Sequence, residues 1–317
     1  MQRYKEIGVA GVGANNIAIV DTAEIPETPS SPNLALNLAL ALLAGIGLAA
    51  LATFALDQVD EGIRDPNQVN RLLHVPLLGS VPDMGDEDIL QLLKDAKSPI
   101  SESYLSIRSN LAFTTDHGVP RALMVTSTRA AEGKSTTTLA LATVLSRTGK
   151  SVLLIDADMR SPSMHHFLSQ PNKVGLSNFL AGENDWTKIV IPTDIAQLSL
   201  MPAGPMPPSA AELLSSDRML LLIAQLIDRY DHVIVDSPPI LGLADAPLLA
   251  RVVEGCIFVA EAEGVAIRGI KASLNRLQSV HAHVFGVVLT KLNHRQAGYG
   301  YGYGYGYGYG SSDDSNA

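Results

Sequence analysis

The chain has 317 residues, enough for about two domains, and 46% of them are hydrophobic but only 5% aromatic. Its formal net charge of −9 argues against nonspecific nucleic-acid binding, which uses a basic face, so no nucleic-acid partner is expected. The single cysteine, Cys256, excludes an intrachain disulfide, and its apolar surroundings indicate a buried strand rather than a nucleophile or a zinc ligand.

Residues 34–56 carry the clearest membrane signal, because they run for 23 residues without a charged side chain. A helix of this length spans roughly 34 Å, enough to cross a hydrocarbon core of about 30 Å. The alternative is a buried helix of a soluble protein, but such a helix rarely stays apolar on every face over its whole length. The sequence therefore predicts one transmembrane helix, preceded by residues 1–33. Residues 57–98 follow as a linker with some local structure.

From residue 99 onward, apolar runs alternate with helical segments. The apolar runs lie at 122–126, 152–155, 198–201, 233–235, 256–260 and 284–290. The helical patterns lie at 100–113, 134–147, 209–230, 246–253 and 267–281. Near-continuous apolar strands separated by helices indicate a parallel sheet that is covered on both faces. The predicted fold class is α/β, a doubly wound parallel sheet of the P-loop NTPase type over residues 99–297, preceded by the one transmembrane helix.

A phosphate-binding loop is predicted between the first strand and the first long helix after it, which is the context that a P-loop requires. Its residues are Thr128, Arg129, Ala130, Ala131, Glu132, Gly133, Lys134, Ser135 and Thr136. Backbone N–H groups of such a loop cradle phosphates. Lys134 would reach the β- and γ-phosphates of ATP, and the Ser135 hydroxyl would bind Mg²⁺. The first position of the usual pattern is Thr128 here instead of glycine.

Three aspartates follow apolar strands of the predicted sheet: Asp156, Asp158 and Asp236. Ligands of parallel sheets bind beyond the carboxyl ends of the strands, so these side chains should converge near the loop. Ser135, Asp156 and Asp236 are the predicted Mg²⁺ ligands, and Asp156 or Asp158 is the predicted base for an attacking hydroxyl. Taken singly, each aspartate could equally be a helix cap or a turn residue.

Arg160 follows the second aspartate of this group by two residues. It is predicted to neutralise charge near the phosphates, and a surface ion pair is the alternative. Thr290 and Lys291, near the end of the last strand, are predicted to line the pocket for the adenine base.

These motifs resemble the bacterial tyrosine kinases that are coupled to polysaccharide chain-length regulators, also called polysaccharide co-polymerases. Residues 126–135 match the Walker A motif of that family except that Ala130 and Ala131 replace Pro-Gly. The D-x-D-x-R and Walker B motifs are matched by Asp156, Asp158, Arg160, Asp236 and Pro239. A cluster of C-terminal tyrosines is also a family feature, and the resemblance covers roughly residues 99–310.

The resemblance implies an ATP- and Mg²⁺-dependent protein-tyrosine kinase that phosphorylates its own tail, residues 298–317, in which tyrosine and glycine alternate. The implied acceptors are Tyr299, Tyr301, Tyr303, Tyr305, Tyr307 and Tyr309. It further implies a role in exopolysaccharide or capsule polymerisation and export. The kinase domain would be cytoplasmic, on a bacterial inner membrane. The implied partners are the polysaccharide polymerase and export machinery, and a protein-tyrosine phosphatase.

Two other segments also resemble parts of the family. Residues 1–33 look like the membrane-proximal end of the periplasmic regulator domain, and both a fragment of a longer regulator and a short form stay open. The family's E-x-x-R-x-x-R motif, which mediates ring assembly, is matched on the first helix by Glu102 and Arg108, whereas Leu105 replaces the middle arginine. A homo-oligomer is therefore expected, with Glu102 and Arg108 in the contact.

Two competing functions and one competing role for the tail stay open. The first is a membrane-associated ATPase switch of the ParA/MinD type, although such proteins carry a signature lysine where this chain has Arg129. The second is a scaffold in which nucleotide only stabilises the fold; the intact lysine, serine and aspartates of the site argue against it. The tail could instead be inert, or could pair as a strand with all its tyrosines on one face.

Overall fold

The computed structural model describes residues 31–57, 62–85 and 87–293. It forms two compact units that divide between Val59 and Asp60. The predictions for residues 1–30 and for the six tail tyrosines lie outside the described residues.

The first unit contains helix α1, Leu34–Asp57. Its stretch Leu34–Phe54 has a mean hydropathy of 2.3 and is long and apolar enough to cross a membrane, by length and composition. The hydroxyl of Thr53 donates to the carbonyl of Ala49 at 2.8 Å, so the helix backbone satisfies this polar group. A helix that is apolar on every face, and whose hydroxyl groups bond to its own backbone carbonyls, is a candidate membrane span.

The second unit is built around an eight-stranded sheet, as far as the described residues show. The strands are β1 (Leu77–Pro82), β2 (Ala122–Ser127), β3 (Val152–Asp156), β4 (Ile191–Pro192), β5 (Leu198–Met201), β6 (His232–Asp236), β7 (Gly255–Glu261) and β8 (Val284–Leu292). Their order across the sheet is β1-β8-β7-β2-β6-β3-β5-β4, and each neighbouring pair is parallel except β4 with β5.

Helices cover both faces of this sheet. They are α2 (Gln68–Leu73), α3 (Ile89–Lys94), α4 (Pro99–Ala112), α5 (Lys134–Ser146), α6 (Met164–Phe167), α7 (Leu176–Leu180), α8 (Ala210–Leu214), α9 (Asp217–Arg229), α10 (Asp245–Leu249) and α11 (Ile267–Ser279), with a 3₁₀ turn at Trp186–Lys188. Met124 of β2 packs with α9 and α11 in one core, whereas its neighbours Leu123 and Val125 pack with α4 and α5 in a second core. This alternation follows the period of two of a strand, and it confirms the predicted doubly wound α/β fold.

The segment predicted as a linker differs from that prediction over residues 62–98. Its strand β1 pairs with β8 at one edge of the sheet, and Leu78 and Val81 are buried in the core of α4 and α5. The residue before a proline favours extended backbone, and Val81-Pro82 lies at the end of β1, where the free edge of β8 pairs with the extended chain.

The single helix expected over residues 209–230 is divided into α8 and α9. Ser215 ends the first helix, and Ser216, with φ −74° and ψ 152°, has the extended backbone that precedes the second. Serine competes for backbone hydrogen bonds and favours helix ends over helix interiors, which explains the interruption.

Candidate functional site

The predicted phosphate loop lies where β2 ends and α5 begins. Gly133, with φ 88°, is the cap residue before α5, and Ala131 also has a positive φ of 67°. Glu132 is buried, and its Oε2 accepts a hydrogen bond from the Arg129 N–H at 3.0 Å. Burial raises the pKa of the Glu132 carboxyl, although the bond from Arg129 opposes that rise. The buried side chain of Glu132 therefore stabilises the loop by binding the Arg129 N–H.

Lys134 does not extend freely from this loop, because it contacts carboxylates of the site. Its Nζ lies 3.0 Å from Asp158 Oδ2 and 3.6 Å from Asp236 Oδ2, and it donates to Ser135 Oγ at 3.1 Å. Burial lowers the pKa of Lys134, but the two carboxylates outweigh burial and hold it above its usual value. The sequence prediction that these groups converge is thus matched by the geometry.

Asp236, at the end of β6, is fully buried and receives two hydroxyl groups of α5. Ser135 Oγ donates to its Oδ2 at 2.7 Å, and Thr138 Oγ1 donates to its Oδ1 at 3.0 Å. Burial raises the pKa of Asp236, while Lys134 and the two hydroxyls lower it. Thr138 was not predicted as a site residue; it lies one turn after Lys134 on the same helix, and that spacing was the available signal.

Asp156 pairs in register with Asp236 across β3 and β6, but its own hydrogen bonds go to the backbone. Its Oδ2 accepts from the N–H groups of Ser163 and Met164 at 2.9 and 3.0 Å, and its Oδ1 accepts from that of Asp158 at 3.2 Å. Burial, followed by the charge of Asp236, raises the pKa of Asp156 to about 7. Asp156 thus makes the turn and cap contacts that were its alternative role, and its roles as Mg²⁺ ligand and base stay predictions.

The site holds more negative than positive charge. Three buried carboxylates, those of Asp156, Asp158 and Asp236, lie near one lysine, Lys134. Within the described ranges, no group of three or more His, Cys, Asp or Glu side chains forms a ready metal site. Mg²⁺ usually binds one or two carboxylates together with substrate phosphates and water, so carboxylate and hydroxyl oxygens beside a phosphate loop fit Mg²⁺ that arrives with a nucleotide.

Arg160 makes the ion pair that was its alternative role. Its Nε and Nη2 donate to Asp245 Oδ2 and Oδ1 at 2.7 and 3.1 Å, and Asp245 itself is 1% exposed. Arg129 likewise donates through Nη2 to the carbonyl of Gly264. Neither guanidinium points freely toward the loop, and Asp245 is a partner that the sequence did not reveal.

Thr290 and Lys291 contact the phosphate loop. Thr290 Oγ1 donates to the carbonyl of Glu132 at 2.6 Å, and Lys291 Nζ donates to that of Ala131 at 2.8 Å. Their assignment to a base pocket stays a prediction.

The predicted assembly residues lie on α4. Glu102 is exposed and Arg108 is half-buried, whereas Leu105 between them packs against the core shared by α4 and α5. The two helices are joined by a buried hydrogen bond of 3.1 Å between Tyr104 Oη and Thr137 Oγ1. Burial raises the pKa of Tyr104 to about 12. Helix α4, which carries Glu102 and Arg108, therefore contacts helix α5, which begins at the phosphate loop.

Comparison with known proteins gives consistent results. A family model described as an AAA domain matches residues 121–289, and one described as a G-rich domain on putative tyrosine kinase matches residues 1–57. The putative tyrosine-protein kinase CapB of Staphylococcus aureus is 34% identical over 196 residues, which cover 62% of this chain and 86% of CapB. The tyrosine-protein kinase ptk of Acinetobacter johnsonii is 30% identical over 312 residues, covering 94% of this chain but 43% of its own length.

The solved structures give the same result. The kinase domain of Escherichia coli tyrosine kinase ETK matches with a TM-score of 0.69 and 26% identity, covering 78% of this chain and all of that domain. The chain thus spans most of CapB but less than half of the longer kinase ptk. The chain belongs to the family of bacterial tyrosine-protein kinases.

Proposed function

We propose that the chain is an ATP- and Mg²⁺-dependent autokinase that phosphorylates the tyrosines of its own tail and thereby regulates the polymerisation and export of an exopolysaccharide or capsule. The observation that carries the proposal is the buried group of Lys134, Ser135, Asp158 and Asp236 at the start of α5. A phosphate-binding lysine, a hydroxyl and carboxylates within a few ångströms are the parts that phosphoryl transfer needs.

Each residue has a role that follows from its position. Lys134 exchanges its carboxylate contacts for the β- and γ-phosphates. Ser135 and Asp236, with Asp156 beside them, would hold Mg²⁺, which would supply positive charge to neutralise the phosphate oxygens. A carboxylate of Asp156 or Asp158 accepts the proton of the attacking tyrosine hydroxyl. The bond between the tyrosine oxygen and the γ-phosphorus forms while the bond from that phosphorus to the β-phosphate oxygen breaks, and ADP leaves.

The tail is a suitable substrate because of its reach. A glycine-rich coil of about 20 residues has a root-mean-square span of roughly 25 Å, which suits delivery into its own site or that of a neighbour. Each phosphotyrosine adds about −1.5 to −2 charges, so six would add roughly −9 to −12. We propose that this charge separates a homo-oligomer held by Glu102 and Arg108. Identical oligomer masses, by light scattering, for the phosphorylated chain and a six-fold Tyr→Phe tail variant would contradict this.

The remaining parts of the proposal concern the cell. The apolar helix α1 would anchor the chain in the bacterial inner membrane with the kinase unit in the cytoplasm, where ATP is abundant. The polysaccharide polymerase and export machinery and a protein-tyrosine phosphatase would be its partners.

The test is an incubation of the chain, in detergent micelles, with Mg²⁺ and ATP, followed by intact mass measurement. We expect up to six phosphate additions that map to residues 299–309 and are absent from Lys134→Met and from the six-fold Tyr→Phe tail variant. ATP hydrolysis without any gain in mass would favour the ParA/MinD-like switch. If the chain neither hydrolyses ATP nor gains mass, the result favours the scaffold.

A further inference from the structure

The phosphate loop has an alanine in a backbone conformation that normally belongs to glycine. Ala131 has φ 67°, in the left-handed region where a Cβ atom is unfavourable. It occupies the position at which the related motif has glycine, which adopts this conformation without strain. A strained residue of this kind persists only where surrounding contacts hold it in place.

The contacts that hold this loop come from the end of β8. Lys291 Nζ donates to the Ala131 carbonyl at 2.8 Å, and it also pairs with Glu261 Oε1 at 2.9 Å. Thr290 Oγ1 donates to the carbonyl of Glu132 at 2.6 Å. Two consecutive residues of the strand thus fix two consecutive carbonyl groups of the loop.

Fixing a carbonyl group also orients the N–H group of the same peptide. The peptide is planar and trans, so its C=O and N–H bonds point in opposite directions. The contact of Lys291 with Ala131 therefore turns the N–H of Glu132 away from β8, and the contact of Thr290 with Glu132 does the same for the N–H of Gly133. Such N–H groups are the ones with which a phosphate loop binds its anion.

We propose that Lys291 is a positioning residue for nucleotide binding, which fixes the peptide between Ala131 and Glu132 and so replaces the conformational fit that glycine would supply. Thr290 supports the next peptide in the same way. The inference rests on the proposed function, since it requires that a nucleotide binds at this loop.

A direct attraction between Lys291 and the phosphates is the competing explanation. The ion pair with Glu261 offsets the positive charge of Lys291, which weakens that attraction. The two explanations also differ in a way that can be measured. Positioning matters only while residue 131 has a Cβ atom, whereas charge attraction is the same with either residue at that place.

The experiment is a double-mutant cycle on the full chain in detergent micelles, with N-methylanthraniloyl-ADP and Mg²⁺ as the fluorescent probe. The four proteins are the unaltered chain, Lys291→Met, Ala131→Gly and the double variant. We expect Lys291→Met to weaken probe binding about tenfold when residue 131 is alanine and less than about threefold when it is glycine. Lys271→Met, at an exposed lysine of α11, makes the same change in net charge and should leave probe binding unchanged.

Each other outcome overturns the inference. Equal weakening in both backgrounds would assign the effect to charge, and unchanged binding by Lys291→Met would remove the role altogether. Unfolding in urea, followed by the fluorescence of Trp186, should show that Lys291→Met and Lys271→Met are both folded under the binding conditions, so that weaker probe binding by Lys291→Met reports on the loop and not on loss of the fold. If the unaltered chain does not bind the probe, the proposed function itself fails, and this inference fails with it.

Discussion

Replacing Lys134 with methionine should destabilise the protein as well as remove its kinase activity. Lys134 Nζ lies 3.0 and 3.6 Å from carboxylate oxygens of Asp158 and Asp236, and all three side chains are less than 10% exposed. At an effective dielectric constant of about 20, each contact is worth roughly 5 kcal/mol of Coulomb energy before the cost of desolvating the lysine. Removing one partner of a buried ion pair typically costs about 3–5 kcal/mol in net stability. We expect a loss of about 3 kcal/mol, because an aspartate of the group can relieve part of the repulsion by binding a proton.

The assay is urea unfolding at pH 8 without nucleotide, followed by the fluorescence of the single tryptophan, Trp186, which lies in the kinase unit. Adding Asp158→Asn to Lys134→Met should recover part of the loss, since it removes one of the carboxylates left unpaired. Lys271→Met is the matched control for the loss of a lysine. A free energy of unfolding for Lys134→Met within about 0.5 kcal/mol of the unaltered chain would refute this electrostatic account of the site.

Three further changes test other contacts. Tyr104→Phe removes the bond to Thr137 and should lower the free energy of unfolding by about 1 kcal/mol, measured in urea. Burial lowers the pKa of His232, so the unfolded chain binds its proton first and stability should fall as the pH drops below about 6.5. His232→Asn, which can still donate to the carbonyl of Pro120, should make thermal unfolding between pH 7.5 and 5 less sensitive to pH. Leu105→Arg restores the related assembly motif and should raise the oligomer mass measured by light scattering, at a cost of about 1 kcal/mol in stability because Leu105 packs against the core.

The sheet and the phosphate loop could be predicted because their signals are local. Strands buried on both faces are continuous apolar runs, and the loop lies between such a strand and a helix, so the order of elements along the chain was sufficient. The strand β1 gave no such signal, since it has proline beside and within it, and its place depends on pairing with β8 more than 200 residues later. Only the assembled sheet shows that an extended segment at Leu77–Pro82 has an edge to join.

The hydrogen bonds that support the site could not be predicted for the same reason. Asp245 is separated from Arg160 by 85 residues, and Lys291 from Ala131 by 160. The rule that strand ends meet at one edge of a sheet predicts which groups come near the loop, but it does not predict which side chains pair there. Motifs thus located the groups that would meet the nucleotide, whereas the residues that hold those groups in place became visible only from their contacts.

The lysine and the hydroxyl of the site are paired with its own carboxylates, and these contacts limit what can bind there. Lys134 is held by Asp158 and Asp236, and the Ser135 hydroxyl donates to Asp236. A phosphate that draws Lys134 away leaves those carboxylates without their cation. For an anion that arrives alone, the attraction to Lys134 is therefore largely offset by the cost of leaving buried carboxylates unpaired. When an anion brings a divalent cation, the cation replaces the lysine beside the carboxylates in the same event. The charge balance of the three aspartates thus favours the Mg²⁺ complex of a nucleotide over the free nucleotide.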